Sequence, residues 1–136
     1  MRQYTVKLSR YRDDRNGYYQ MSVVEKICDA GLQQSEAVPL EIDKTFYGTA
    51  DTSVAEWYVY TFTEADTYTL KLTNNNIDTT VYATVYDPLG TELGSIDAYK
   101  NDSSERSLEI AAGTVLYVKI SRYRSEKFGN YALLVY

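Results

Sequence analysis

With 136 residues, 44% of them apolar and 24% charged, the chain is long enough to bury one core without disulfides or metal and too short for two full domains. It contains no His and a single Cys, Cys28, which excludes His-dependent triads, His-containing metal centres and any intrachain disulfide. The net charge of −5 is uneven: residues 1–26 hold six Lys/Arg against three Asp/Glu, residues 27–105 three against fourteen, and residues 106–136 five against two, so basic ends flank an acidic middle and nucleic acid is not the expected partner.

Fifteen Tyr, many Thr and Val and only two Pro favour β-structure. Residues 4–9 and 18–24 alternate as strands, joined by a polar segment from Arg10 to Gly17, which predicts a β-hairpin with Val6, Leu8, Tyr19, Met21 and Val23 on one face. Such a hairpin is marginal alone and needs a sheet to lie against. Residues 25–40 break the alternation, are punctuated by Gly31 and Pro39, and read as a linker. From residue 41 the strand signals come close together. Thr45–Tyr47 is short and is followed by the turn-rich GTADTS; Trp57–Thr63 points Tyr58, Tyr60 and Phe62 inward, and Thr67–Thr73 does the same with Tyr68, Leu70 and Leu72. After a turn at Asn74–Asn76, Thr80–Tyr86 turns Val81, Ala83 and Val85 inward, and Asp87-Pro88-Leu89-Gly90 has the residues of a type I turn. Its partner strand is Thr91–Asp97. A polar loop over residues 98–105 precedes Arg106–Ile110, and a last hairpin buries Val118 and Ile120, then Tyr131, Leu133 and Val135. The sum is all-β: an eight-stranded, jelly-roll-like antiparallel β-sandwich over residues 41–136, preceded by the extra hairpin of residues 1–24 and the linker of residues 25–40.

The extra hairpin is a duplicate. Residues 4–23, YTVKLSRYRDDRNGYYQMSV, align without a gap with residues 116–135, LYVKISRYRSEKFGNYALLV, at an offset of 112 residues. Val6/Val118, Lys7/Lys119, Ser9/Ser121, Arg10/Arg122, Tyr11/Tyr123, Arg12/Arg124, Gly17/Gly129, Tyr19/Tyr131 and Val23/Val135 are identical. A fixed period marks tandem modules, so the first copy is expected to be the end of a preceding repeat. Two copies suited to one slot would compete, and the displaced one would expose an apolar edge, so self-association is expected. The shared Arg-Tyr-Arg is expected on an exposed face, with Arg10/Asp13 or Arg122/Glu126 pairing locally.

The runs EWYVYTFTEADTYTLKL, DTTVYATVYDPLGTEL, LEIAAGTVLYVKI and GNYALLV, taken in that order, resemble the bacterial pre-peptidase C-terminal domain family, to which the collagen-binding domains of clostridial collagenases are related. The likeness covers about residues 41–136. It implies an eight-stranded jelly-roll module, accessory and non-catalytic, found in secreted proteins beside peptidases and sometimes in tandem. The collagen-binding relatives expose a row of aromatic and aliphatic residues after the AGT-type turn; here that row reads Lys119, Ser121 and Tyr123, which speaks against collagen. Those relatives also bind calcium through acidic residues, and this chain offers Glu41, Asp43, Asp51, Ser53 and Glu56 as a partial match.

Measured against the chemistry of known site types, the sequence gives little to an enzyme. Asp13-Asp14 and Glu64/Asp66 are neighbouring carboxylates in loops, not a pair facing across a substrate, and no phosphate loop, CxxC or HExxH occurs. A calcium ion requires six to eight oxygens and could draw on Asp43, Asp51, Ser53 and Glu56. Trp57, Tyr117, Lys119 and Tyr123 fall on outward positions where they could contact a sugar or a peptide. The expected role is a non-catalytic spacer in a tandem-repeat bacterial secreted or cell-surface protein, with neighbouring modules as partners. The alternative is an accessory module that holds a secreted enzyme on polysaccharide or on a protein such as collagen. No segment is apolar enough over about 20 residues to span a bilayer, and a secretion signal is expected upstream.

Overall fold

The computed structural model describes residues 31–136. The predicted hairpin of residues 1–24 and the first part of the linker lie outside the described residues. After a 3-10 turn at Gln34–Glu36 come nine strands: β1 Val38–Pro39, β2 Phe46–Ala50, β3 Glu56–Thr61, β4 Asp66–Asn74, β5 Val81–Tyr86, β6 Glu92–Ala98, β7 Ser103–Ile110, β8 Val115–Arg122 and β9 Gly129–Val135. The count is nine, not the expected eight, because the two-residue β1 pairs in parallel with β3, Val38 beside Tyr58.

The strands form two sheets, ordered β1-β3-β8-β5-β6 and β2-β9-β4-β7. Apart from β1, every pairing is antiparallel. From β2 onward the chain changes sheet at each step except between β5 and β6, which is the winding of a jelly roll. The core lies between the sheets and holds Tyr58, Tyr60, Phe62, Leu70, Leu72, Val81, Ala83, Val118, Ile120, Tyr131, Leu133 and Val135, each at most 2% exposed. These are the inward positions of a period of two. Full burial of each Leu, Val or Phe among them stabilises the fold by about 1.5–3 kcal/mol.

Four sequence expectations change. The last two strands are no hairpin: β8 sits between β3 and β5 in one sheet, and β9 between β2 and β4 in the other. Residues 123–128 form an arch that crosses between the sheets, held where the Tyr123 amide donates to the Thr80 carbonyl (2.9 Å) and the Arg124 amide to Thr79 Oγ1 (3.2 Å). Gly48 opens no turn, since β2 continues through it to Ala50; a Cβ at Gly48 would stand 2.4 Å from Cζ of Tyr131, so the missing side chain makes room for that ring. Asn74 ends β4 rather than starting an exposed turn. Its buried amide donates to the carbonyls of Ile77 (3.0 Å) and Thr79 (2.9 Å), and its Oδ1 accepts from the Ile77 amide (2.8 Å), which fixes the crossing to β5. The polar loop before β7 is shorter than expected, because β7 already begins at Ser103.

Candidate functional site

Alternation along β3 puts Glu56 on the same inward face as Tyr58 and Tyr60, so a carboxyl group enters the end of an apolar core. Glu56 is 8% exposed. Tyr131 reaches it from β9, and the hydroxyls of Tyr58 and Tyr131 lie 2.5 Å apart. Both tyrosines hydrogen-bond to the Glu56 side chain. Burial raises the Glu56 pKa from its ordinary 4.5 to about 7, with the charge of Asp51 adding to the rise; the two hydroxyls and the Arg122 guanidinium work against it and lose. Burial, with the neighbouring Tyr58 and Glu56, drives the Tyr131 hydroxyl far above its usual range, so it stays a neutral donor.

Arg122, at the end of β8, does not pair with Glu126 as the sequence suggests. Its guanidinium donates from Nη1 to the Lys127 carbonyl (2.5 Å) and from Nη2 to the Thr52 carbonyl, and lies 5.6 Å from the Phe128 ring. It therefore joins the loop before β3 to the arch before β9 and places a fixed positive charge beside Glu56. A buried carboxyl, two tyrosines and one guanidinium from β3, β8 and β9 thus close one end of the sandwich.

The four residues expected to bind calcium are not gathered. Asp51, Ser53 and Glu56 share this end, but the Arg122 guanidinium already holds the Thr52 carbonyl between them. Asp43 lies at the opposite end, where its amide donates to the carbonyl of Val135 (2.7 Å), four residues of β9 beyond Tyr131, or about 13 Å. Among the described residues no group of three or more Cys, Asp or Glu could hold a metal ion.

Three of the four outward residues do come together. Trp57 is opposite Lys119, and Tyr117 is opposite both Val59 and Tyr86. The indole reaches across β8 to Tyr86, with ring centroids 5.1 Å apart, and Lys119 Nζ stands 5.7 Å over the indole. Each of the three is half-buried. Tyr123, 73% exposed, belongs to the arch and stands apart from them. Tyr86 is the member the sequence reading missed, although the alternation that turns Val81, Ala83 and Val85 inward turns Tyr86 outward. The segment expected to be a linker lies against this face: the Trp57 amide donates to the Gly31 carbonyl (2.8 Å), the Leu40 amide to the Val59 carbonyl (2.9 Å), and Gln34 Nε2 to the Asp87 carbonyl (3.0 Å). A separate open groove of about 330 Å³ runs between β6 and β7, lined chiefly by Val85, Leu93, Leu108, Ile110 and Leu116 with Arg106 at its side.

The fold and the buried cluster define a small all-β jelly-roll module whose unusual polar groups bind strand to strand. No family model matches the sequence, and no curated protein is similar to it. The fold is similar to that of the pre-peptidase C-terminal domain of collagenase from Bacillus anthracis, at 14% identity and a TM-score of 0.55, covering 74% of this chain and 95% of that domain. Lower likeness, at a TM-score of 0.47 in each case, extends to the Yersinia pseudotuberculosis-derived mitogen (17% identity, 66% of this chain and 80% of that one) and to PliG, a periplasmic inhibitor of g-type lysozyme from Aeromonas hydrophila (12% identity, 74% and 96%). The likeness is one of fold alone.

Proposed function

We propose that the chain is a non-catalytic structural module, a spacer or accessory unit within a tandem set in a secreted or cell-surface bacterial protein. The observation that carries this reading is the use made of the reactive groups. Glu56 and Tyr131 have the perturbed, buried character of a working site, yet they, with Tyr58 and Arg122, are committed to holding β3, β8, β9 and their loops together. The fold shared with the pre-peptidase C-terminal domain of a collagenase supports the same reading. The sequence repeat at residues 4–23 supports the tandem arrangement.

A second reading, attachment of an enzyme to polysaccharide or to a protein such as collagen, is favoured by the outward group of Trp57, Tyr86, Tyr117 and Lys119. Glycan and collagen-peptide arrays separate the two, probed with the full chain, Trp57→Ala and Tyr123→Ala, with and without added calcium. The spacer reading expects no binding above background in any condition. Binding by the wild type that disappears in either variant would replace it with the second reading.

A further inference from the structure

We propose that residues 4–23 are a strand donor: they enter a second module as its β8–β9 pair and bring the contacts that Arg122, Gly129 and Tyr131 make here. The inference rests on the tandem part of the proposed function and names the partner.

In this chain β8 and β9 are interior strands of separate sheets. Without them one sheet divides into β1-β3 and β5-β6, and the other into β2 and β4-β7. The pair is therefore the piece on which a module closes. Its inward residues Val118, Ile120, Tyr131, Leu133 and Val135 are each at most 2% exposed. Residues 4–23 repeat those positions as Val6, Leu8, Tyr19, Met21 and Val23.

The repeat also keeps residues whose chemistry has a use only inside the framework of the other strands. Tyr131 lies over Gly48 and meets Glu56 and Tyr58, and its counterpart is Tyr19. Arg122 holds the Thr52 carbonyl, and its counterpart is Arg10. Gly129 has φ 151°, and a Cβ there would stand 2.4 Å from Asn76 Oδ1; its counterpart is Gly17. Between β9 and its copy the non-conservative changes fall on alternate residues. Asn130, Ala132 and Leu134 become Tyr18, Gln20 and Ser22, while Gly129, Tyr131 and Val135 are unchanged and Leu133 becomes Met21. The inward face keeps its apolar character, with Leu133 to Met21 its one change, while the other face has changed in kind, as expected of a strand that still enters a core.

The partner is thus a framework like that of residues 38–110, with Gly, Glu and Tyr at the places of Gly48, Glu56 and Tyr58. In an array the preceding repeat supplies it; in solution a second copy of this chain does, once its own β8–β9 pair is disabled.

Three full-length variants test this. Ile120→Asp with Leu133→Asp disables the resident pair, Leu8→Asp with Met21→Asp disables the donor, and the fourfold variant disables both. Urea unfolding is followed by Trp57 fluorescence, and mass by light scattering across a concentration series. The expected result is a cooperative transition in the Ile120→Asp/Leu133→Asp chain, at a lower midpoint than wild type and with a dimer mass, that is absent from the fourfold variant. A cooperative monomer would mean that the donor had entered its own framework or that the substituted pair still closes it, and overturns donation to a second module. An Ile120→Asp/Leu133→Asp chain with no cooperative transition overturns the proposal. Neither outcome bears on the array experiment, so the two readings fail separately.

Discussion

Replacing Glu56 by Gln turns the buried cluster into a measurable pH dependence. The folded protein holds the Glu56 proton up to about pH 7, whereas the unfolded chain releases it near 4.5. Between those values folding takes up a proton, so stability falls as pH rises through the window. Below it the carboxyl is protonated in both states and makes no difference; above it both are ionised and the whole cost remains. At 1.36 kcal/mol per pKa unit the cost is about 3 kcal/mol at most, and about 1–2 kcal/mol once solvent at the adjoining loop screens the charge. That figure already includes the opposing attraction of Arg122 and the hydroxyls of Tyr58 and Tyr131. The amide of Gln keeps an acceptor for the tyrosines and carries no charge. Urea melts followed by Trp57 fluorescence from pH 4 to 8 should show wild-type stability declining while the variant stays level, the two meeting near pH 4.5 and the variant ahead by about 1–2 kcal/mol at pH 8. Two curves that run parallel at every pH, or a variant that is weaker at pH 8, would mean that Glu56 is already ionised in the folded protein across the pH 4.5–7 window and that Arg122 outweighs burial.

Two core positions give further tests. The hydroxyl of Tyr60 is buried with no partner among the described residues, so Tyr60→Phe is expected to stabilise the protein by about 1 kcal/mol in the same urea assay; a loss of that size would reveal a bond to the hydroxyl. Gly48→Ala sets a methyl group 2.4 Å from the Tyr131 ring and should cost about 1–3 kcal/mol as β2 is pushed away from β9. A change under about 0.5 kcal/mol would show that the ring has room to turn aside.

How much was legible in advance depends on the distance over which each signal acts. The inward faces of β3, β4 and β5 follow from alternation within six to nine residues, and Tyr58, Phe62, Leu70, Val81 and Ala83 are buried as that pattern requires. Gly48 misled because a glycine that makes room for a distant ring reads the same as one that makes a turn. Arg122 misled because Glu126 is close in sequence, whereas the Thr52 carbonyl is reached only across the fold. The cluster joins Glu56 to Tyr131, and nothing local to either residue announces the other.

By itself the sequence determined the β class, most strand positions, the inward residues and the duplicated segment, since each is written in the period of two or in direct repetition. Tertiary structure alone decided which sheet each strand joins. A hairpin and an arch present the same alternation, because in both the inward side chains face one core; only the course of residues 123–128 from one sheet to the other separates them. That crossing makes β8 and β9 interior strands and brings Tyr131 to Glu56.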